Sequence, residues 1–117
     1  MSEIRELRNP SPAAVDGPAP VRTRAEVIDR IREARPLLDR LGVASLALFG
    51  SAARDQLEPS SDIDILVRFA GPPTFDAFMD VKLELEARLG RRVDLVTPGA
   101  IKPRLAALIE RDLMDVA

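Results

Sequence analysis

Short apolar runs alternate with segments of helical periodicity along most of this chain, and this alternation limits its fold more than any other feature. The runs cover residues 43–49, 62–67 and 92–96, and each has the length of a strand rather than of a helix. Amphipathic segments precede, separate and follow these runs. Helices alternating with short strands predict a small α/β (α+β) domain, in which helices pack on a mixed sheet of three to four strands.

Capping residues and prolines indicate where the helices begin. Thr23 opens a capping-box pattern, so we expect the first helix to begin there. Pro36 lies inside that helical pattern and either kinks the helix or begins a second one. The last helix is predicted over residues 100–113, with Pro103 in its first turn. Residues 114–117 then either fray or add a short edge strand.

The first 22 residues differ in composition from the rest of the chain. They contain four of the ten prolines, and the other residues there are mostly small or charged. This composition predicts a flexible tail over residues 1–22, with a docking segment for a partner as the alternative. Residues 23–117 are then one domain, long enough to form a hydrophobic core.

The composition excludes several kinds of catalysis. The chain has no His and no Cys, which excludes Ser-His-Asp and Cys-His catalysis, the usual zinc sites and disulfides. The general base must be a carboxylate, a Lys, a metal-bound hydroxide or the substrate. Four Phe are the only aromatic residues and the net charge is −2, so we expect no direct contact with nucleic acid. No segment is apolar enough to suggest a signal peptide or a membrane span, and we expect a cytoplasmic protein.

Three carboxylates on two predicted strands form a candidate metal site. A strand places residues i and i+2 on one face, so Asp62 and Asp64 should point the same way, with Ile63 and Ile65 in the core. Such carboxylates repel unless a cation binds, and their oxygen atoms favour Mg²⁺ or Mn²⁺. If the strand of Asp94 pairs beside them, the three acids are the minimum for a two-metal site. Solvated acids on an exposed strand face are the alternative.

A Gly-Ser pair follows the first predicted strand. The backbone N–H groups after Gly50 and Ser51 could cradle a phosphate, although most such pairs are plain turns. Ten residues separate Ser51 from Asp62, so the chain reads Gly-Ser, ten residues, Asp-X-Asp. This pattern resembles the signature of the polymerase-beta-like nucleotidyltransferase superfamily and is most similar to its minimal nucleotidyltransferases. The resemblance covers about residues 24–110.

The resemblance implies a set of site residues. In that family the helices pack on a short mixed sheet, and three acids bind two divalent metals, Mg²⁺ or Mn²⁺, and perform the catalysis. The resemblance assigns these roles to Asp62, Asp64 and Asp94. The Gly-Ser pair, here Gly50 and Ser51, contacts the nucleoside triphosphate, and Arg54 matches an arginine that reaches a phosphate. The family often has Gly after this arginine. Asp55 stands there in this chain, which leaves the geometry of the loop open.

The same resemblance implies a partner and a reaction. Minimal members often form antitoxin–toxin pairs with a small helical HEPN-type ribonuclease, and some transfer AMP from ATP to a tyrosine of that partner. We therefore expect a metal-dependent enzyme that transfers AMP from ATP to a protein hydroxyl. The alternative is an antitoxin or binding module that neutralises its partner by complex formation, with little or no turnover.

The acceptor and its docking surface are less constrained. This chain has no Tyr, so a tyrosine acceptor must lie on another protein. A further helix is predicted from its cap at Thr74 to about Leu89. Its residues Phe75, Met79 and Leu83 are interpreted as core residues, and a partner surface is the alternative.

Overall fold

The computed structural model describes residues 19–117. Residues 1–18 of the predicted tail therefore lie outside the described residues. The elements follow in the order α1 (Arg24–Glu33), α2 (Arg35–Arg40), β1 (Val43–Phe49), α3 (Gly50–Ala53), β2 (Ile63–Phe69), α4 (Phe75–Leu89), β3 (Val93–Val96), a 3-10 turn (Pro98–Ala100), α5 (Pro103–Asp112) and β4 (Met114–Asp115).

The four strands form one mixed sheet in the order β3-β2-β1-β4. Strand β1 is antiparallel to both β2 and β4, whereas β2 and β3 are parallel. The predicted fold class is confirmed, and the C-terminal residues do add an edge strand. Because β3 pairs directly beside β2, Asp94 comes opposite Asp64 in the register.

Helices cover both faces of the sheet. Successive residues of a strand point to opposite faces, and the two hydrophobic clusters follow this alternation. The larger cluster contains Leu48 and Ile65 and packs against α1, α2 and α4. The smaller cluster contains Phe49 and Leu66 and packs against α5 through Ile109. Through this packing, α5 lies beside β1.

The predicted helix starts are confirmed at two places and corrected at a third. Thr23 caps α1 in a complete capping box with Glu26, and Pro36 lies in the first turn of a separate helix, α2. The last helix begins at Pro103 and not at residue 100. The preceding residues form their own 3-10 turn, and proline is favoured at the first position of a helix because it has no N–H to leave unpaired.

Two other expectations need correction. Val21 was placed in the tail, but its side chain is fully buried, and its N–H donates to the Leu89 carbonyl at 3.0 Å. Packing against the end of α4 therefore joins Val21 to the domain. Phe75 and Leu83 are 76% and 56% exposed, so interpreting them as core residues was wrong. Within residues 19–117, no helix is long and apolar enough to cross a membrane.

Candidate active site

Asp64 and Asp94 form the centre of the candidate site. They occupy paired positions on the parallel strands β2 and β3, and the charge of Asp94 acts on the Asp64 carboxyl. Burial and, to a smaller extent, the charges of Asp94 and Asp62 together raise the pKa of Asp64 from 3.8 to about 6. Two carboxylates held this close resist being ionised together unless a positive charge lies between them.

Gly50 packs against this pair of carboxylates. It follows β1 directly, and Phe49, the residue before it, is paired with Asp64. Gly50 has φ +69°, and a Cβ atom there would overlap Asp64 Oδ2 and lie 3.2 Å from its Cγ. Only glycine fits such a position without strain, because it has neither the side chain nor the steric limit on φ. The sequence predicted a role for this glycine in nucleotide binding, whereas the structure gives a separate reason for glycine here, its contact with Asp64.

A cavity of about 390 Å³ brings most of the predicted site residues together. The predicted residues that line it are Gly50, Ser51, Arg54, Asp64 and Asp94. They come from three elements, α3, β2 and β3, which meet only because β2 pairs with both β1 and β3. The cavity therefore combines the Gly50-Ser51 turn, the Arg54 guanidinium and a pair of carboxylates, a set suited to a metal-bound phosphate ester.

Asp62 lies apart from this group. It precedes β2, and one of its oxygens lies 3.4 Å from Arg92 Nε in an ion pair. It lines a different cavity of about 980 Å³, on the side of Arg91 and Arg92. Within the described part of the chain, no three acidic side chains converge in a metal-binding arrangement. The structure thus brings together two of the three predicted metal ligands.

The loop that follows the Gly-Ser turn is tied to α1. Asp55, the residue at the position where glycine is common in the resembled family, has φ +59°. Its Oδ1 accepts a hydrogen bond from the backbone N–H of Arg24 at 2.8 Å, and the Arg24 guanidinium donates to the Ala53 carbonyl at 2.9 Å. Asp55 therefore satisfies an unpaired N–H at the start of a helix.

Sequence reasoning missed the part of the site that α5 contributes. Leu105, Arg111 and Asp112 line the same cavity as Asp64, and Asp112 forms an ion pair with Arg54. A signal was present, because an acid at the C-terminal end of a helix opposes the helix dipole and needs a compensating contact. The predicted helix over residues 100–113 contained this acid without any partner for it.

The donor set fits a divalent cation at Asp64 and Asp94. Their oxygens are the hard ligands that Mg²⁺ and Mn²⁺ prefer. The raised pKa of Asp64 comes first from burial and then from the neighbouring acids, and a bound cation would offset both effects. Asp62 would be the third metal ligand once its ion pair with Arg92 is broken. That ion pair is weak, because Arg92 is 83% exposed and exposed pairs are worth at most about 1 kcal/mol.

Comparison with known proteins identifies the family of this chain. The family model described as the nucleotidyltransferase domain matches residues 28–115. This chain belongs to that family. A nucleotidyltransferase relative from Thermococcus cleftensis, named protein adenylyltransferase MntA, is 38% identical over 82 residues, which are 70% of this chain and 83% of the relative. The expectation of a nucleotidyltransferase enzyme is confirmed.

Two solved structures are similar to this nucleotidyltransferase. One, described as a candidate minimal nucleotidyltransferase, has a TM-score of 0.61 and 33% identity, covering 74% of this chain and 93% of that one. The other is a complex of a Shewanella oneidensis HEPN toxin carrying three AMP groups with its MNT antitoxin, with a TM-score of 0.58 and 22% identity, covering 80% of this chain and 71% of that one. At that identity, the second likeness concerns the fold alone.

Proposed function

We propose that this nucleotidyltransferase transfers AMP from ATP to a hydroxyl of a partner protein, in a reaction that requires divalent metal ions. The observation that carries the proposal is the cavity in which Gly50 and Ser51 face Asp64 and Asp94. It combines a phosphate-binding turn with a carboxylate pair that favours a bound cation. The name of the Thermococcus relative supports adenylyl transfer to protein.

The mechanism assigns a separate task to each element. Asp64 and Asp94 would hold the metal ions, with Asp62 as the third ligand after it leaves Arg92. When bound, divalent ions polarise the α-phosphate and stabilise the departing pyrophosphate. The Gly50-Ser51 turn and Arg54 bind the phosphates, and Asp94 accepts the proton of the attacking hydroxyl.

The acceptor is proposed to be a HEPN-type helical protein, for which this chain would be the antitoxin. The motif resemblance supports this choice, and so does the HEPN–MNT complex whose antitoxin shares the fold. The chain itself contains no Tyr, so a tyrosine acceptor has to be supplied from outside. The partner would approach the cavity from the side of Asp94.

The test is transfer of label from ATP to a HEPN-type protein co-expressed from the neighbouring gene. Wild-type protein with Mg²⁺ should label a hydroxyl of the partner, and mass spectrometry should locate it. Asp64→Ala should reduce transfer at least about 10²-fold, by analogy with the loss of one transition-state contact. Asp80→Ala is the matched control, since Asp80 is an exposed acid of α4. Equal transfer by wild type and Asp64→Ala would refute the assignment.

Neutralisation by complex formation without turnover is the second candidate function. The observation in its favour is that Asp62 is paired with Arg92 and not assembled with the other two acids. If this function is correct, Asp64→Ala will still form the complex and still neutralise the partner in cells. If adenylyl transfer is correct, the same variant will form the complex but fail to neutralise the partner.

A further inference from the structure

A nearly buried acid at the end of α5 contacts the arginine that is proposed to bind phosphate. Asp112 Oδ2 accepts a hydrogen bond from Arg54 Nη1 at 2.6 Å, and the Asp112 side chain is only 8% exposed. The other Asp112 oxygen lies 3.7 Å from Arg111 Nε. Asp112 is the last residue of α5, where the helix dipole disfavours a negative charge. Burial adds to this cost unless the carboxylate is paired. The ion pair with Arg54 therefore stabilises the charged Asp112 side chain at this position.

Arg54 is held on a second side as well. Its Nε donates to Gln56 Oε1 at 3.0 Å. A guanidinium has five N–H donors in one plane, so two contacts on different nitrogens fix that plane. Across residues 19–117, the Nη2 group donates to no acceptor. Arg54 thus combines a fixed orientation with unused donors, and it lines the same cavity as Gly50, Asp64 and Asp94.

We propose that Asp112 is a positioning residue, which holds the Arg54 guanidinium ready for the phosphates of the nucleotide. This inference rests on the proposed function. An arginine fixed before binding loses less side-chain entropy when the phosphates arrive. The pair also joins α5 to the Gly-Ser turn of α3, so the C-terminal helix takes part in nucleotide binding through Arg54. The opposite role, in which Asp112 competes with the phosphates for Arg54, makes the opposite prediction.

Calorimetric titration with Mg·ATP tests this role separately from AMP transfer. Asp112→Asn keeps the shape of the side chain and removes its charge, and we expect it to weaken ATP binding about tenfold, the effect of one charge-assisted hydrogen bond. Asp112→Glu restores the charge and should recover part of the affinity. Asp39→Asn is the matched control, because it breaks the exposed Arg35–Asp39 ion pair of 2.8 Å and should leave ATP affinity unchanged.

A double-mutant cycle shows whether Asp112 acts through Arg54. In the Arg54→Ala background, Asp112→Asn should cause no further loss of ATP affinity, whereas a purely structural role would give the same loss in both backgrounds and would overturn the proposal. Tighter ATP binding by Asp112→Asn would show competition and would also overturn it. If Asp112→Asn does not fold, Gln56→Ala releases Arg54 from its other contact and should weaken ATP binding about threefold; unchanged binding then refutes the positioning role.

The two proposals fail in different ways. A wild-type protein that binds ATP but transfers no AMP would remove the proposed function and leave the positioning role of Asp112 intact. A wild-type protein that transfers AMP, together with an Asp112→Asn variant of unchanged ATP affinity, would remove the positioning role alone. A wild-type protein that binds no Mg·ATP would overturn both.

Discussion

Replacing Gly50 by alanine tests the contact on which the candidate site depends. The added Cβ would overlap Asp64 Oδ2, so the Asp64 side chain must rotate away. A non-glycine residue at φ +69° costs about 1–2 kcal/mol, and pushing Asp64 out of its rotamer costs about 0.5–1.5 kcal/mol. The lower entropy of the unfolded alanine chain offsets about 0.4–1 kcal/mol. We therefore expect Gly50→Ala to lower the free energy of unfolding by about 2 kcal/mol.

The same change should reduce AMP transfer far more than it reduces stability. A displacement of about 1 Å in a catalytic group can cost 10²-fold in rate, and Asp64 must move at least that far to admit the methyl group. Chemical denaturation and a transfer assay on the folded variant measure the two effects separately. Gly71→Ala is the matched control, because no atom lies within 4 Å of a Cβ at Gly71.

A second variant separates the clash from backbone strain. In an Asp64→Ala background there is no carboxylate to displace. Gly50→Ala should then cost only the backbone strain less the unfolded-state offset, a net loss of about 1 kcal/mol. An equal cost of Gly50→Ala in both backgrounds would show that contact with Asp64 is not what requires glycine at this position. Full transfer activity in Gly50→Ala would refute the placement of Asp64 in the reaction.

Three further predictions concern pH and stability. Because the pKa of Asp64 rises from 3.8 to about 6 on folding, the free energy of unfolding of the metal-free protein should fall as pH rises from about 4 to 6; denaturation at several pH values should show that Asp64→Asn lacks this part of the decline. Asp55→Ala should destabilise the domain by about 1 kcal/mol by removing the contact with α1, whereas Asp55→Asn should retain most of the stability; thermal unfolding of both variants decides this. Val21→Ala should lower the free energy of unfolding by about 1–3 kcal/mol, because the packing of a buried valine is lost. An unchanged denaturation midpoint would show that Val21 does not pack in the folded domain.

The elements of this fold could be predicted from the sequence because their signals are local. A capping residue such as Thr23 and a proline such as Pro36 act within one helical turn. The strands were predicted from apolar runs of strand length, although the run that predicted β2 ended at residue 67 and the strand continues to Phe69. The start of α5 was misplaced because residues 98–100 form a 3-10 turn, which the sequence pattern did not separate from the helix. Val21 was misplaced because its partner Leu89 lies far away in the sequence.

The candidate site could be predicted only in part, for the same reason. The Gly-Ser and Asp-X-Asp motifs are short-range patterns, and three of their residues, Gly50, Ser51 and Asp64, line one cavity. Arg54 and Asp94, which were predicted from other features, line the same cavity. The ion pair between Arg54 and Asp112 joins residues 58 positions apart, and no periodicity reports such a contact. The orientation of Asp62 depends on Arg92, an exposed residue on the neighbouring segment. Strand alternation alone predicts that Asp62 points like Asp64, without this competing partner.

Binding of Mn²⁺ together with a non-hydrolysable ATP analogue tests the central claim most directly, because Mn²⁺ is paramagnetic and its free and bound forms can be counted by electron paramagnetic resonance. The account predicts that the wild-type protein binds Mn²⁺ with the nucleotide, and that Asp64→Asn and Asp94→Asn each weaken this binding at least tenfold, while Asp80→Asn binds like the wild type. Equal Mn²⁺ binding by all four proteins would contradict a metal site at Asp64 and Asp94.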